Sequence, residues 1–279
     1  KVDPEDTEGA VAALAEELAS EFESQQLLTG PGLRLDNALL APVLRYDNRN
    51  PIAKSDREGV AFEDELVAVG AVTCASRFQK SDSDWQVAIE GFDQIGLAIA
   101  REVENRGGKI HTISTAKGCV SGDFDSATLA DAWMQSGASC VEQLGTVGKP
   151  WQIWNADLDA IFVGSKPGAI SGEGATSSSD TPIIATSAAA VSSKALAVLR
   201  KNGAPVAPDF LTRVGPMLAW WASEETSHDV LRDSTTETVN GLLEEIVDHE
   251  DGTFMAACYK AEAFMESWQE KRPFGRPLG

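Results

Sequence analysis

Residues 85–103 read WQVAIEGFDQIGLAIAREV, and no other stretch restricts the fold so tightly. Gln86 to Ile89 has the short apolar character of a strand buried on both faces, Gly91 supplies a turn, and apolar residues then recur at helical spacing through Val103. Gly107 and Gly108 stop that helix, and KIHTIS (109–114) alternates as a second strand. DAIFVG (159–164) and PIIAT (182–186) read as further buried strands, and APVAPDF (204–210) as a shorter one. Between them fall a helix over 126–136, with Asp125 or Ser126 as its cap, and the helix SSKALAVLRKNG. Strands alternating with helices at this spacing predict an α/β fold with a doubly wound parallel sheet.

The flanks differ. Residues 7–25 place Val11, Leu14, Leu18 and Phe22 at helical spacing with acids opposite, which predicts an amphipathic helix in need of a packing partner. Pro31, Pro42 and Pro51 mark residues 28–57 as an irregular connector, and a helical pattern resumes from Gly59 to Arg77. At the other end the pattern predicts one long helix over 218–247, a break at HEDG and a helix over 253–269. The stretch 171–180, SGEGATSSSD, has the composition of a solvated loop. The expected division is an arm and connector over 1–55, the α/β domain over 56–217, and a helical tail over 218–279 packed on it.

No apolar run reaches the length of a membrane span, and residues 1–25 lack the order of a secretory signal, so direct membrane insertion is not expected. The reading is a soluble protein of the cytoplasm or an organelle interior; with Lys1 leading, a removed import sequence stays open. A net charge of −20, from 43 acids and 23 bases, opposes nucleic acid as a partner. Four dispersed cysteines and three scattered histidines form no metal-ligand spacing and suit a reducing compartment. No GxSxG elbow marks a hydrolase.

A strand, glycine turn and helix of this kind bind a dinucleotide when the turn reads G-x-G-x-x-G. The first glycine makes the turn, the second admits the diphosphate, and the third lets helix and strand pack. Here Gly91 and Gly96 hold the first and third places, and Asp93 the second. A carboxylate about 5 Å from a phosphate charge, at an effective dielectric of about 20, costs roughly 3 kcal/mol. The second strand of such a unit ends in an acid that binds the adenosine ribose, but the residues there are Ser114-Thr115-Ala116-Lys117. Losing those hydrogen bonds costs roughly another 1.5–3 kcal/mol. Lys117 offers an alternative, a ligand for the extra phosphate of NADP.

The stretch VAIEGFDQIGLAIAREVENRGGKIHTISTAKG resembles the cofactor domain of the glutamate/leucine/phenylalanine/valine dehydrogenases, with its GFGNVG-like turn and SDSKG-like strand end. Asp157 to Val163 is similar to that family's LDADILVP-like segment, Ala207 to Met217 to its IPDILANAGGV-like segment, and Thr253 to Met265 to its final helix. Arg57-Glu58-Gly59-Val60 resembles its ATGxGV-like helix entry, so the likeness spans about residues 55–270. It implies a Rossmann-like domain, with Gly91, Asp93, Gly96 and Thr115 at the positions that contact cofactor.

Those positions are altered. The family's asparagine near the nicotinamide falls within Thr186 to Ala190, which has none, and the asparagine of its LANAGG segment is Arg213, with Pro216 for the second glycine. The family's catalytic lysines lie in an amino-terminal domain, and neither Lys1 nor Lys54 sits in such a motif. The expectation is therefore a non-catalytic subunit, with no catalytic residue, no metal and no cofactor, docking a protein partner or its own copies. The expected surfaces are Val11, Leu14, Leu18 and Phe22 on the arm, and Trp220 and Trp221 near the family's domain junction. The alternative is an amino-acid dehydrogenase that transfers hydride to NAD or NADP and binds it weakly.

Overall fold

The computed structural model describes residues 6–30, 38–57, 59–79 and 85–269. The arm is α1 (Thr7–Glu17) and α2 (Ala19–Glu23), broken at Leu18, followed by α3 (Ala41–Leu44). Asp6 caps α1 by accepting from the Gly9 amide at 3.0 Å. A small hairpin, β1 (Asp56–Arg57) with β2 (Val60–Ala61), leads into α4 (Phe62–Phe78), so this helix starts three residues later than its pattern suggests. Glu63, Asp64 and Glu65 occupy its first turn, where the helix dipole favours acids. Most of the rest of α4 is buried. At Gly70 an added Cβ would lie 2.3 Å from the Thr212 carbonyl oxygen, so only glycine permits that approach.

Then come β3 (Gln86–Glu90), α5 (Gln94–Asn105), β4 (Lys109–Thr115), β5 (Gly118–Phe124), α6 (Ser126–Ser136), α7 (Val141–Leu144) and β6 (Ala160–Val163). They are followed by α8 (Gly172–Ser177), β7 (Ile183–Ala185), α9 (Ser193–Asn202), β8 (Val206–Ala207), α10 (Asp209–Thr212), α11 (Val214–Trp220), α12 (His228–Ile246) and α13 (Thr253–Glu266).

Six strands form one sheet in the order β5-β4-β3-β6-β7-β8. β4 and β6 flank β3 in parallel, and β7 and β8 continue in parallel; only β5 runs antiparallel, against β4. The four strands expected to be parallel are so, with Gly91 at a carboxyl end. The chain reverses its direction of winding between β3 and β6, and ligands of such folds bind in the crevice there.

Strand residues alternate between two cores. Val87, Ile89, Ile110, Ile113 and Phe162 face the cluster that holds α4, α5 and α12. Ala88, Ile161, Val163, Ile183 and Ala185 face the cluster of Trp154, Ala175, Leu196 and Leu199 from the α8 and α9 side. Such covering on both faces is what continuous apolar strands require.

Two further expectations need correction, and one strand comes in addition to those expected. GCVSGDF (118–124) is an edge strand that its sequence does not announce. Residues 171–180 contain a helix, α8, with Gly172, Gly174 and Ala175 buried and Ser171 as its cap. The tail helix is split, because Ser227 caps α12 by accepting from the Val230 amide at 3.3 Å, and the polar residues before it end α11.

Candidate functional site

Gly91, Asp93, Gly96 and Thr115 converge at the carboxyl ends of β3 and β4. Gly91 has φ +76, which glycine tolerates. Its amide and that of Phe92 both donate to the Ser114 carbonyl, at 3.0 and 2.8 Å. Asp93 is the cap of α5, its Oδ1 accepting from the Gly96 amide at 3.0 Å. The helix end that would hold a phosphate therefore holds a carboxylate of the chain itself.

Burial raises the pKa of Asp93, against the lowering effect of hydrogen bonds from the Gly96 and Ile95 amides, and the charge of Glu90 adds to the rise. Asp64, on the first turn of α4, is pushed up to about 6, by burial first and then by the charges of Asp93 and Glu63; Arg213 opposes the rise. The crevice is thus lined with acids.

Its β6 side is closed as well. Glu90 accepts from the amides of Gly164 and Ser165 at 3.2 and 3.1 Å and from the Ser165 hydroxyl at 2.5 Å. A Cβ on Gly91 would lie 2.5 Å from the Ser165 backbone. Thr115, in the place of the ribose acid, is buried, donates to the Ala138 carbonyl at 2.6 Å and accepts from the Lys117 amide at 3.1 Å. Phosphate donors and ribose acceptor are thus engaged internally, and the residues present do not fit a dinucleotide without rearrangement.

The residues expected to dock a partner separate into covered and exposed ones. Val11 and Phe22 are buried with Leu40 and Val43, and Leu18 packs against that cluster, so α3 already covers most of the stripe; Leu14 is 47% exposed. Val11 and Phe22 are therefore not free docking residues, because the connector supplies the packing partner that the helix needed. Trp220 donates from Nε1 to Glu63 at 2.5 Å, and the Arg49 guanidinium stacks 4.8 Å from its ring centroid. Arg49 in turn pairs with Asp47, Nε to Oδ2 at 2.8 Å, with both side chains 5% exposed. Trp221 beside it is 57% exposed.

The glycine turn at Gly91 and the strand order are those of a dehydrogenase cofactor domain, and the family model for Glutamate/Leucine/Phenylalanine/Valine dehydrogenase matches residues 59–271. The chain belongs to this family. Its Arg57 to Val60 segment includes Glu58, which lies outside the described residues. None of the curated protein sequences compared matches the chain. Among solved structures it is similar to the hetero-hexameric glutamate dehydrogenase from Thermus thermophilus in its Leu bound form, at 19% identity and TM-score 0.75, over 99% of this chain and 71% of that one. It is also similar to glutamate dehydrogenase 2 of Plasmodium falciparum, at 13% identity and TM-score 0.65, over 94% of this chain and 68% of that one. L-tryptophan dehydrogenase from Nostoc punctiforme matches at 17% identity and TM-score 0.61, over 95% and 75%. At these identities the likeness is one of fold.

Sequence reasoning missed Glu90 and Asp64. The acid before Gly91 is visible in the chain, but its partner Ser165 lies 75 residues away and only the sheet order joins them. No helix among the described residues is long and apolar enough to cross a membrane.

Proposed function

We propose that this chain is a non-catalytic member of the dehydrogenase family, a structural or interaction subunit of a protein assembly whose nucleotide crevice is filled by its own side chains. The observation that carries the reading is the Asp93 carboxylate on the Gly96 amide, where a diphosphate would otherwise bind. The engaged hydroxyl of Thr115 and the Glu90–Ser165 contact support it. No nicotinamide cofactor is then needed, and partners are other protein chains or copies of this one. The similar glutamate dehydrogenase from Thermus thermophilus is hetero-hexameric, which supports association with unlike chains.

A second reading, an amino-acid dehydrogenase using NAD or NADP, is favoured by the preserved turn at Gly91 and the parallel order around β3. Titration with NAD, NADH and NADPH separates the two. Combined penalties of roughly 5 kcal/mol place any binding at about millimolar or weaker. Saturable micromolar binding, with turnover of an amino acid, establishes the enzyme instead.

A further inference from the structure

A surface beside β4 runs against the overall charge of the chain. Lys117, Val147, Lys149 and Trp151 line a cavity of about 600 Å³ beyond the carboxyl end of β4, and none of its eight lining residues is acidic. In a chain with 43 acids and 23 bases this is a local inversion of sign. Neither lysine has an ion-pair partner among the described residues. Trp151 is 63% exposed and Val147 38%, so the two lysines are interleaved with open apolar surface.

The surface is also held in shape. Gly148 and Cys119 exchange two backbone hydrogen bonds, at 2.7 and 3.1 Å, which pin the loop to β5. The Lys149 amide donates to Gln152 Oε1 at 2.6 Å, and Thr115 Oγ1 accepts from the Lys117 amide at 3.1 Å. Little backbone entropy remains to be lost when something docks. A small molecule is bound by enclosure, with most of its surface buried, and an indole this exposed offers a wall rather than a pocket. Tryptophan is a residue type that anchors protein interfaces, and the two unpaired cations beside it give the surface a charge complementary to an acidic partner.

We propose that Lys117, Val147, Lys149 and Trp151 dock an acidic segment of a partner protein, its carboxylates on the two lysines and an apolar side chain against the indole. This deepens the interaction-subunit reading and rests on it for its biological sense, while its test is separate from the cofactor titration. The full chain is titrated calorimetrically with a twelve-residue peptide of glutamates flanking one phenylalanine and one leucine, with its lysine counterpart, and with ATP. The glutamate peptide binds with Kd on the order of 100 µM or tighter, about 5.5 kcal/mol. Binding weakens at least tenfold in the double change Lys117→Glu and Lys149→Glu, and separately in Trp151→Ala. The melting temperature stays unchanged, because these side chains are exposed. Absence of binding at 1 mM, equal binding of the lysine peptide, or binding that survives the substitutions overturns the proposal. ATP binding tighter than the peptide, and lost in the same variants, assigns the surface to a nucleotide. Failure here with cofactor binding still absent leaves the non-catalytic reading intact.

Discussion

Replacing Asp93 with glycine tests the chemistry of the crevice directly. Three effects follow from the geometry. The cap bond to Gly96, 3.0 Å long, is lost, and glycine in a cap position costs only a few tenths of a kcal/mol. A buried carboxylate with a raised pKa disappears, which offsets that loss and returns Asp64 toward its ordinary range, because Asp93 is the second cause of its rise. The Gly96 amide becomes free, and the repulsion of roughly 3 kcal/mol on a diphosphate is gone, about a hundredfold in affinity. Asp93→Gly should therefore keep its melting temperature within a few degrees while gaining about two decades in affinity for NADH, read by the enhancement and shift of nicotinamide fluorescence. Adding Thr115→Asp should extend the gain. A folded Asp93→Gly protein that binds NADH no better than the parent would refute the reasoning, and would shift the block to the Glu90–Ser165 closure.

Two further perturbations probe the supports of the site. Arg49→Ala leaves the Asp47 carboxylate buried without its main partner and should cost about 3–5 kcal/mol in chemical denaturation; a loss under 1 kcal/mol would mean that the connector does not hold the Trp220 face. Asp64 has a folded pKa of about 6, above its ordinary value of 3.8, so the folded state holds the proton more tightly. The stability from that proton is present below pH 4 and is lost as pH rises through about 6, by up to about 3 kcal/mol before solvent screening is counted. Asp64→Asn should accordingly stabilise the chain at pH 7.5, by about 1–2 kcal/mol, and hardly at all at pH 4; equal effects at both pH values would reject the assignment.

The parts of the fold legible in the sequence are those with local periodicity. The strand–turn–helix at 86–105 and the apolar strands 160–163 and 183–185 each state their burial in a few consecutive residues. The edge strand β5 does not, because GCVSGDF carries two glycines and no alternation, and its state comes from pairing with β4. Residues 171–180 look like a linker since glycine and serine dominate, yet at Gly174 an added Cβ would lie 3.1 Å from the Trp154 ring nitrogen, so small size serves packing there. At the site, the substitution at Asp93 is legible in the sequence. The contacts that close the site around it are not, because Glu90–Ser165 spans 75 residues and Trp220–Glu63 spans 157.

On the non-catalytic reading proposed above, the internal bonds of the crevice bear on how it keeps its shape without a cofactor. A domain that binds a dinucleotide gains stability by mass action only while ligand is present, and its phosphate donors are otherwise left to water. Here Asp93 satisfies the Gly96 amide from within, while Thr115 donates to the Ala138 carbonyl and Glu90 accepts from the Ser165 amide and hydroxyl. Two of these ties join separate elements: β3 to the residues after β6 through Glu90, and β4 to the turn after α6 through Thr115. On the proposed reading, such a crevice needs no nicotinamide to hold it, which suits a subunit that keeps one shape while other chains use its surfaces.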